Sequence, residues 1–214
     1  MATTHTFSKE EELANAITHG IGVLLSIAAL VLLIVFSSVH GTALHIISFT
    51  IYGVTMLMLY FSSTMLHSLP AGRLKNMFEI FDHASIYLFI AGSYTPLLFI
   101  VVQGTLGWTL FGIVWGLATA GIVFKIFFVK RFLFLSTLFY IGMGWLAIFA
   151  INPLIENMPF AGVVLLVAGG LCYTFGTIFY VWRGFRFHHA VWHTFVLAGS
   201  VLHFFMILLY VLPI

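Results

Sequence analysis

Charge is what this chain has least of. Only 7% of its 214 residues are charged, against 62% hydrophobic. Ordinary soluble domains carry roughly 25% charged side chains, so no soluble fold can cover its surface with this set. Cysteine is nearly absent too. The one copy, Cys172, excludes an internal disulfide, a C-x-x-C redox pair and a Cys-rich metal site. Lying in an apolar run, it reads as a small buried residue. The formal net charge of +2 is too small to argue for a nucleic-acid partner. A cleavable signal peptide is not expected either. The first apolar run begins near Ile17, is long enough to span a bilayer and lacks a small-x-small cleavage site.

What the chain does have is long hydrophobic runs, about twenty residues each, as a bilayer requires. They read as spans over 17–36, 44–66, 84–102, 108–128, 132–151, 160–182 and 194–212. The connections between them are short, so consecutive spans are expected to be antiparallel neighbours. Residues 1–16 are polar, and Ser8 or Thr6 ahead of Lys9-Glu10-Glu11-Glu12 is expected to cap a short helix lying at the interface. Gly112-x-x-x-Gly116 and the glycines of the sixth span predict close helix packing. Pro96 predicts a kink in the third span, because it frees the carbonyl of Gly92.

All eight Lys and Arg fall on one side of this topology: Lys9, Arg73, Lys75, Lys125, Lys130, Arg131, Arg183 and Arg186. By the positive-inside rule that side is cytoplasmic. The expected architecture is therefore an all-α membrane protein, a seven-transmembrane-helix bundle with its N-terminus cytoplasmic and its C-terminus extracytoplasmic. Residues 1–16 form a short cytoplasmic segment, and 17–214 form one membrane domain in the cytoplasmic (inner) membrane.

Polar residues gather at that same side. His189 and His193 open the seventh span, four apart, and so lie one turn from each other on one helix face. His67 ends the second span and Asp82 begins the third. Ser63 lies one turn deeper than His67 on the same face. Ionisable groups near hydrocarbon are expensive and need a reason. Each histidine alone is more readily structural than catalytic; three plus an aspartate at one depth form a candidate site.

Three neutral imidazoles plus a water make a zinc site with one open position, and zinc suits a nitrogen-rich, thiolate-free donor set. Asp82 is then a hydrogen-bond partner of the water, a general base or a fourth ligand, and Ser63 bonds the water or a substrate carbonyl. Hydrolysis of a lipid amide or ester is the natural chemistry of such parts. His19, at the edge of the first span, lies within reach of the site as an outer partner. His188 and His83 are expected to face elsewhere, and His203, deeper in the seventh span, to bond across helices. Haem ligation, a retinal Schiff base and a pore fit less well. Two histidines on one face do not sandwich a haem, the seventh span holds no lysine, and the polarity sits at one end instead of running along several helices.

Ser63-x-x-x-His67, Asp82 and His189-x-x-x-His193 resemble the signature of the hemolysin III / PAQR (progestin and adipoQ receptor) family. The opening Glu11-Glu12-Leu13-Ala14-Asn15-Ala16-Ile17-Thr18-His19-Gly20 and Phe81-Asp82-His83-Ala84-Ser85-Ile86-Tyr87 resemble its bacterial branch. The resemblance covers nearly the whole chain. It implies zinc held by His67, His189 and His193 with Asp82 and Ser63 around it, and a seven-helix fold with a cytoplasmic N-terminus. It also implies kinship with alkaline ceramidases and with receptors linked to ceramide hydrolysis and membrane fluidity homeostasis. The chain lacks the receptors' long N-terminal domain and any sizeable outer loop, so no protein-hormone ligand is expected; membrane lipids are the expected partners. Two other readings stand beside the hydrolase: a non-enzymatic regulator of membrane fluidity or energetics with structural zinc, and a hemolysin-like lytic or pore-forming protein.

Overall fold

A computed structural model describes residues 7–212, all of whose regular structure is helical. The helices are α1 (Lys9–His40), α2 (Ala43–Ser68), α3 (Arg73–Pro96), α4 (Gly104–Phe128), α5 (Leu133–Gly144), α6 (Ile151–Asn157), α7 (Phe160–Val181) and α8 (His188–Met206). With their π-helical or 3-10 continuations they make seven segments long and apolar enough to cross a membrane. Large apolar side chains such as Phe127, Phe149 and Phe160 point outward, as they do where the surroundings are lipid.

The first helix is longer than its apolar run. Ser8 caps it reciprocally with Glu11: the Ser8 hydroxyl accepts from the Glu11 amide, and the Glu11 carboxylate accepts from the Ser8 amide. From that cap the helix runs unbroken for 32 residues, about 48 Å at 1.5 Å per residue. Residues 9–16 are therefore the first turns of α1 and not a separate interfacial helix. Thr6, the alternative cap, lies outside the described residues. The buried face of α1 is a stripe of polar and small residues, Glu11, Asn15, His19, Gly22 and Ser26, which turns toward the bundle where the candidate histidines are.

Consecutive helices pack as antiparallel neighbours from α1 to α4, and again between α7 and α8. The first and last spans, α1 and α8, also touch. α5 packs more thinly against α3 and α7 and completes the ring, while α4 leans on the outside of α3. Close approach depends on glycine in two decisive places. A Cβ on Gly22 would run into the Tyr60 ring, and one on Gly169 into the His203 ring. Gly112 and Gly116 behave otherwise. An added Cβ meets nothing within 4 Å at either, so the expected tight packing of that pair is not found within the chain, and both face outward.

The third span starts earlier than its hydrophobicity indicates. α3 begins at Arg73, so Asp82 sits inside the helix and not at its beginning. Pro96 does not end it. The backbone continues as a π-helix over Leu97–Val102, and Gly92 is pressed against Thr55 of α2.

The fifth span breaks. α5 stops at Gly144, a 3-10 segment covers Leu146–Ala150, and α6 carries the span on to Asn157, past the expected end at residue 151. One side chain repairs the break. The Tyr94 hydroxyl donates to the Gly144 carbonyl at 2.7 Å and accepts from the Ala147 amide at 2.8 Å. Backbone groups freed inside a membrane need such partners.

Candidate metal centre

The charged helix ends and loops that carry Lys and Arg meet at one end of the bundle. Lys75 pairs with Glu12 at 2.6 Å, Lys130 with Glu79 at 3.3 Å and Arg186 with Glu10 at 3.1 Å. These contacts tie the start of α1 to α3 and to the α7–α8 loop, and the α4–α5 loop to α3. Just inside this cationic end lie the histidines.

His67, from the last turn of α2, meets His189 and His193 from the first turns of α8. One nitrogen of each lies within 4.8 Å of the others. The ring centroids form a triangle of 5.2, 5.2 and 4.5 Å. These three side chains are close enough to hold a metal ion, as their spacing and topology predict.

The outer edges of two rings fix which nitrogen faces inward. Nδ1 of His67 lies 2.6 Å from a carboxylate oxygen of Glu12, which accepts the N–H. Nδ1 of His193 lies 3.2 Å from the Asn15 carbonyl and 3.1 Å from the Thr18 hydroxyl oxygen. The Thr18 proton is directed at the carbonyls of Ala14 and Asn15, 2.9 Å away, so its oxygen can only accept. Both rings therefore donate from Nδ1, which leaves Nε2 as the nitrogen available to a metal. Nε2 of His67 is buried and has no protein partner among the described residues. This is the arrangement metal-binding histidines use, in which an outer hydrogen bond sets tautomer and orientation. A neutral, thiolate-free nitrogen set with inward lone pairs suits a borderline cation such as zinc.

Asp82 is not part of the cluster that closes within 4.8 Å. Its carboxylate lies 3.8 Å from Nδ1 of His83, so His83, expected to point away from it, is its neighbour. Asp82 lines two spaces at once. One is a wide vestibule of about 1170 Å³ at the cationic end, shared with His67, Lys75, Arg183 and His189. The other is a narrow cavity of about 130 Å³ running deeper between α3, α5, α7 and α8, which it shares with His189 and His193. Apolar side chains dominate the deeper walls, among them Leu59, Ile86, Phe89, Leu97 and Val196, with Gly144, Trp145 and Ala147 from the broken span.

Ser63 is fully buried one turn from His67 on α2. Most span hydroxyls bond back to their own helix, as Thr64 does to the Tyr60 carbonyl at 2.7 Å. Ser63 is the exception: among the described residues its Oγ is the one buried hydroxyl oxygen without a partner. His203 donates across to α7, from Nε2 to the Leu166 carbonyl at 3.0 Å, as its depth predicts. His188 is buried against the Phe179 carbonyl, away from the triangle.

The residues that sequence reasoning underweighted all come from α1. Glu12, Asn15 and Thr18 hold the rings of His67 and His193, and His19 lies face to face on His193 with centroids 3.4 Å apart and planes 13° apart. A signal for them existed. Residues 12, 15 and 19, and 11, 15 and 18, recur at helical spacing, and a polar stripe in a membrane helix faces protein.

The profile of the family described as haemolysin-III related matches residues 7–204. The chain belongs to that family. It is 58% identical to a hemolysin-3 homolog of Bacillus subtilis (strain 168) over 95% of this chain and 96% of that protein. It is 56% identical to hemolysin-3 of Bacillus cereus over 95% and 93%. A more distant likeness, 28% over 73% of this chain and 67% of the relative, links it to the human monocyte to macrophage differentiation factor, a PAQR-family protein. Family and seven apolar helices together make this a multi-pass membrane protein.

Proposed function

We propose that this protein is a zinc-dependent hydrolase of lipid amide or ester bonds, working at the cytoplasmic face of the inner membrane. The observation that carries the reading is one junction: three imidazoles with outer nitrogens tied by α1, standing where a polar vestibule meets an apolar cavity. The cationic vestibule corresponds to the cytoplasmic side by the positive-inside rule. An amphiphile fits this shape, with its chain among the cavity's apolar side chains and its polar linkage at the histidines.

His67, His189 and His193 would hold the zinc, which when bound would supply the Lewis acidity that makes water a nucleophile near neutral pH. Asp82, facing both spaces, takes the proton of the attacking water and passes it to the departing amine or alcohol. General acid–base assistance of this kind contributes typically 10²–10⁴-fold. Ser63 holds its uncommitted hydroxyl one turn below His67, where it steadies a water or the substrate carbonyl. Tyr180, beside His189 at the rim, narrows the passage between vestibule and cavity.

Elemental analysis of purified protein tests the reading: about one zinc per chain in the wild type and close to none in His193→Ala. In the same preparations, Asp82→Asn is expected to keep its zinc and to lose at least 10²-fold in turnover on long-chain amides and esters. Stoichiometric zinc with no hydrolysis in the wild type would replace the hydrolase by a regulator of membrane fluidity in which the metal is structural. Conductance in liposomes that survives loss of the histidines would favour the lytic reading that the two Bacillus names carry.

A further inference from the structure

A fourth imidazole stands at the site without belonging to the metal triangle. His19 of α1 is 3% exposed. Its faces are held by His193, stacked at 3.4 Å, and by Tyr60, edge-on at 5.0 Å and 88°. Gly22, one turn along, leaves the room in which the Tyr60 ring sits. The Tyr60 hydroxyl is anchored in turn by donating to Ser200 Oγ at 2.6 Å. His19 is therefore a rigid group, pinned between α2 and α8.

Its hydrogen-bonding edge has no use inside the protein. Both ring nitrogens are buried, and neither has a protein partner among the described residues. Leaving a buried donor or acceptor unmet is costly, because the group has given up water and gained nothing in exchange. Phenylalanine would fill the same space and stack as well at no such cost. The ring also lines the apolar cavity, beside Asp82, His189 and His193. An imidazole without an internal task, fixed in orientation and edging a cavity, is a recognition element for something polar that enters it.

We propose that His19 binds the polar linkage of the substrate, donating from one ring nitrogen to the carbonyl oxygen of a long-chain acyl amide or ester whose chain occupies the cavity. This rests on the hydrolase reading for its substrate class but not on turnover. His19 acts by holding the acyl group against the histidine cluster; the cavity walls supply affinity for the chain and are indifferent to where along it the carbonyl lies. The site would then distinguish acyl amides and esters from alkanes of equal length.

The test uses the purified full-length protein in detergent micelles, with radiolabelled palmitamide and hexadecane as probes. Two variants separate packing from hydrogen bonding: His19→Phe keeps a stacking ring, and His19→Gln keeps a donor. Zinc content and melting temperature are read alongside. His19→Phe should retain zinc and melting temperature and lose about tenfold in palmitamide affinity, the scale of one hydrogen bond to a buried group. Hexadecane binding should be unchanged, and His19→Gln should recover part of the loss. Three results overturn the proposal. Unchanged palmitamide binding in His19→Phe makes the ring mere packing. Zinc lost as in His193→Ala makes it a metal ligand. A wild type that does not take up palmitamide leaves no linkage to bind. A wild type that binds palmitamide in a His19-dependent way but hydrolyses nothing removes the hydrolase and supports the His19 contact.

Discussion

The two halves of this bundle are built to different standards. Where α1, α2 and α8 meet, polar groups interlock: Glu12 on His67, Asn15 and Thr18 on His193, Tyr60 on Ser200. Where α5 faces α3 and α7, the packing is thin and a cavity remains, edged by a span that breaks at Gly144. The difference separates two demands. Metal ligands need rings fixed by a supporting set of hydrogen bonds. A chain-binding space needs apolar walls and room. The two regions draw on largely different helices, with α8 serving in both and His19 and Leu59 reaching the cavity from α1 and α2.

Breaking the interlocked half should have the larger consequences. Glu12→Ala removes the carboxylate that accepts from His67 and pairs with Lys75. A loss of 10–100-fold in zinc affinity is expected, as for other outer partners of metal-bound histidines. Competition with a chelator of known strength measures it, and unchanged affinity would mean that α1 does not tune the site. On the other flank of α8, Gly169→Ala disturbs the tight seam with α7, since the new Cβ meets the His203 ring. Overpacking of this kind costs typically 1–3 kcal/mol and should appear as a lower melting temperature in detergent, with zinc retained.

On the open side the effects should be smaller and more selective. Gly144 lines the cavity, and a Cβ added there would have nothing within 4 Å, so Gly144→Leu should be accommodated. It should raise KM for sixteen-carbon substrates several-fold while leaving short-chain ones and zinc content alone; equal effects on both would place the chain elsewhere. Outside both regions, Gly112→Leu adds a side chain to an outward face with free space. Its effect on melting should stay within about 0.5 kcal/mol, the usual range for surface changes.

Much of the site was legible because its signals are local. His189-x-x-x-His193 follows from helical geometry, and His67 joins them once alternating spans put the end of the second beside the start of the seventh. Asp82 and Ser63 were singled out on the same reasoning, and the earlier start of α3 carries Asp82 inside the helix and outside the three-histidine cluster. The role of α1 was not legible in that way. Thr18 and His193 touch across 175 residues, and only the contact of first helix with last brings them together. The apparent helix-packing pair Gly112 and Gly116 misled for the converse reason: spacing says that a close approach is permitted, not that a neighbour is there.

The order and number of the spans, the family and the identity of the three clustered histidines follow from residue pattern alone, because hydrophobic length and helical period act within a segment. The closing of α1 on α8, the proton placement on His67 and His193, the break at Gly144 and the cavity it borders belong to the tertiary structure. Each depends on which side chains meet from distant segments, and a bilayer, which accepts any apolar face equally, leaves that choice to packing and hydrogen bonding between helices.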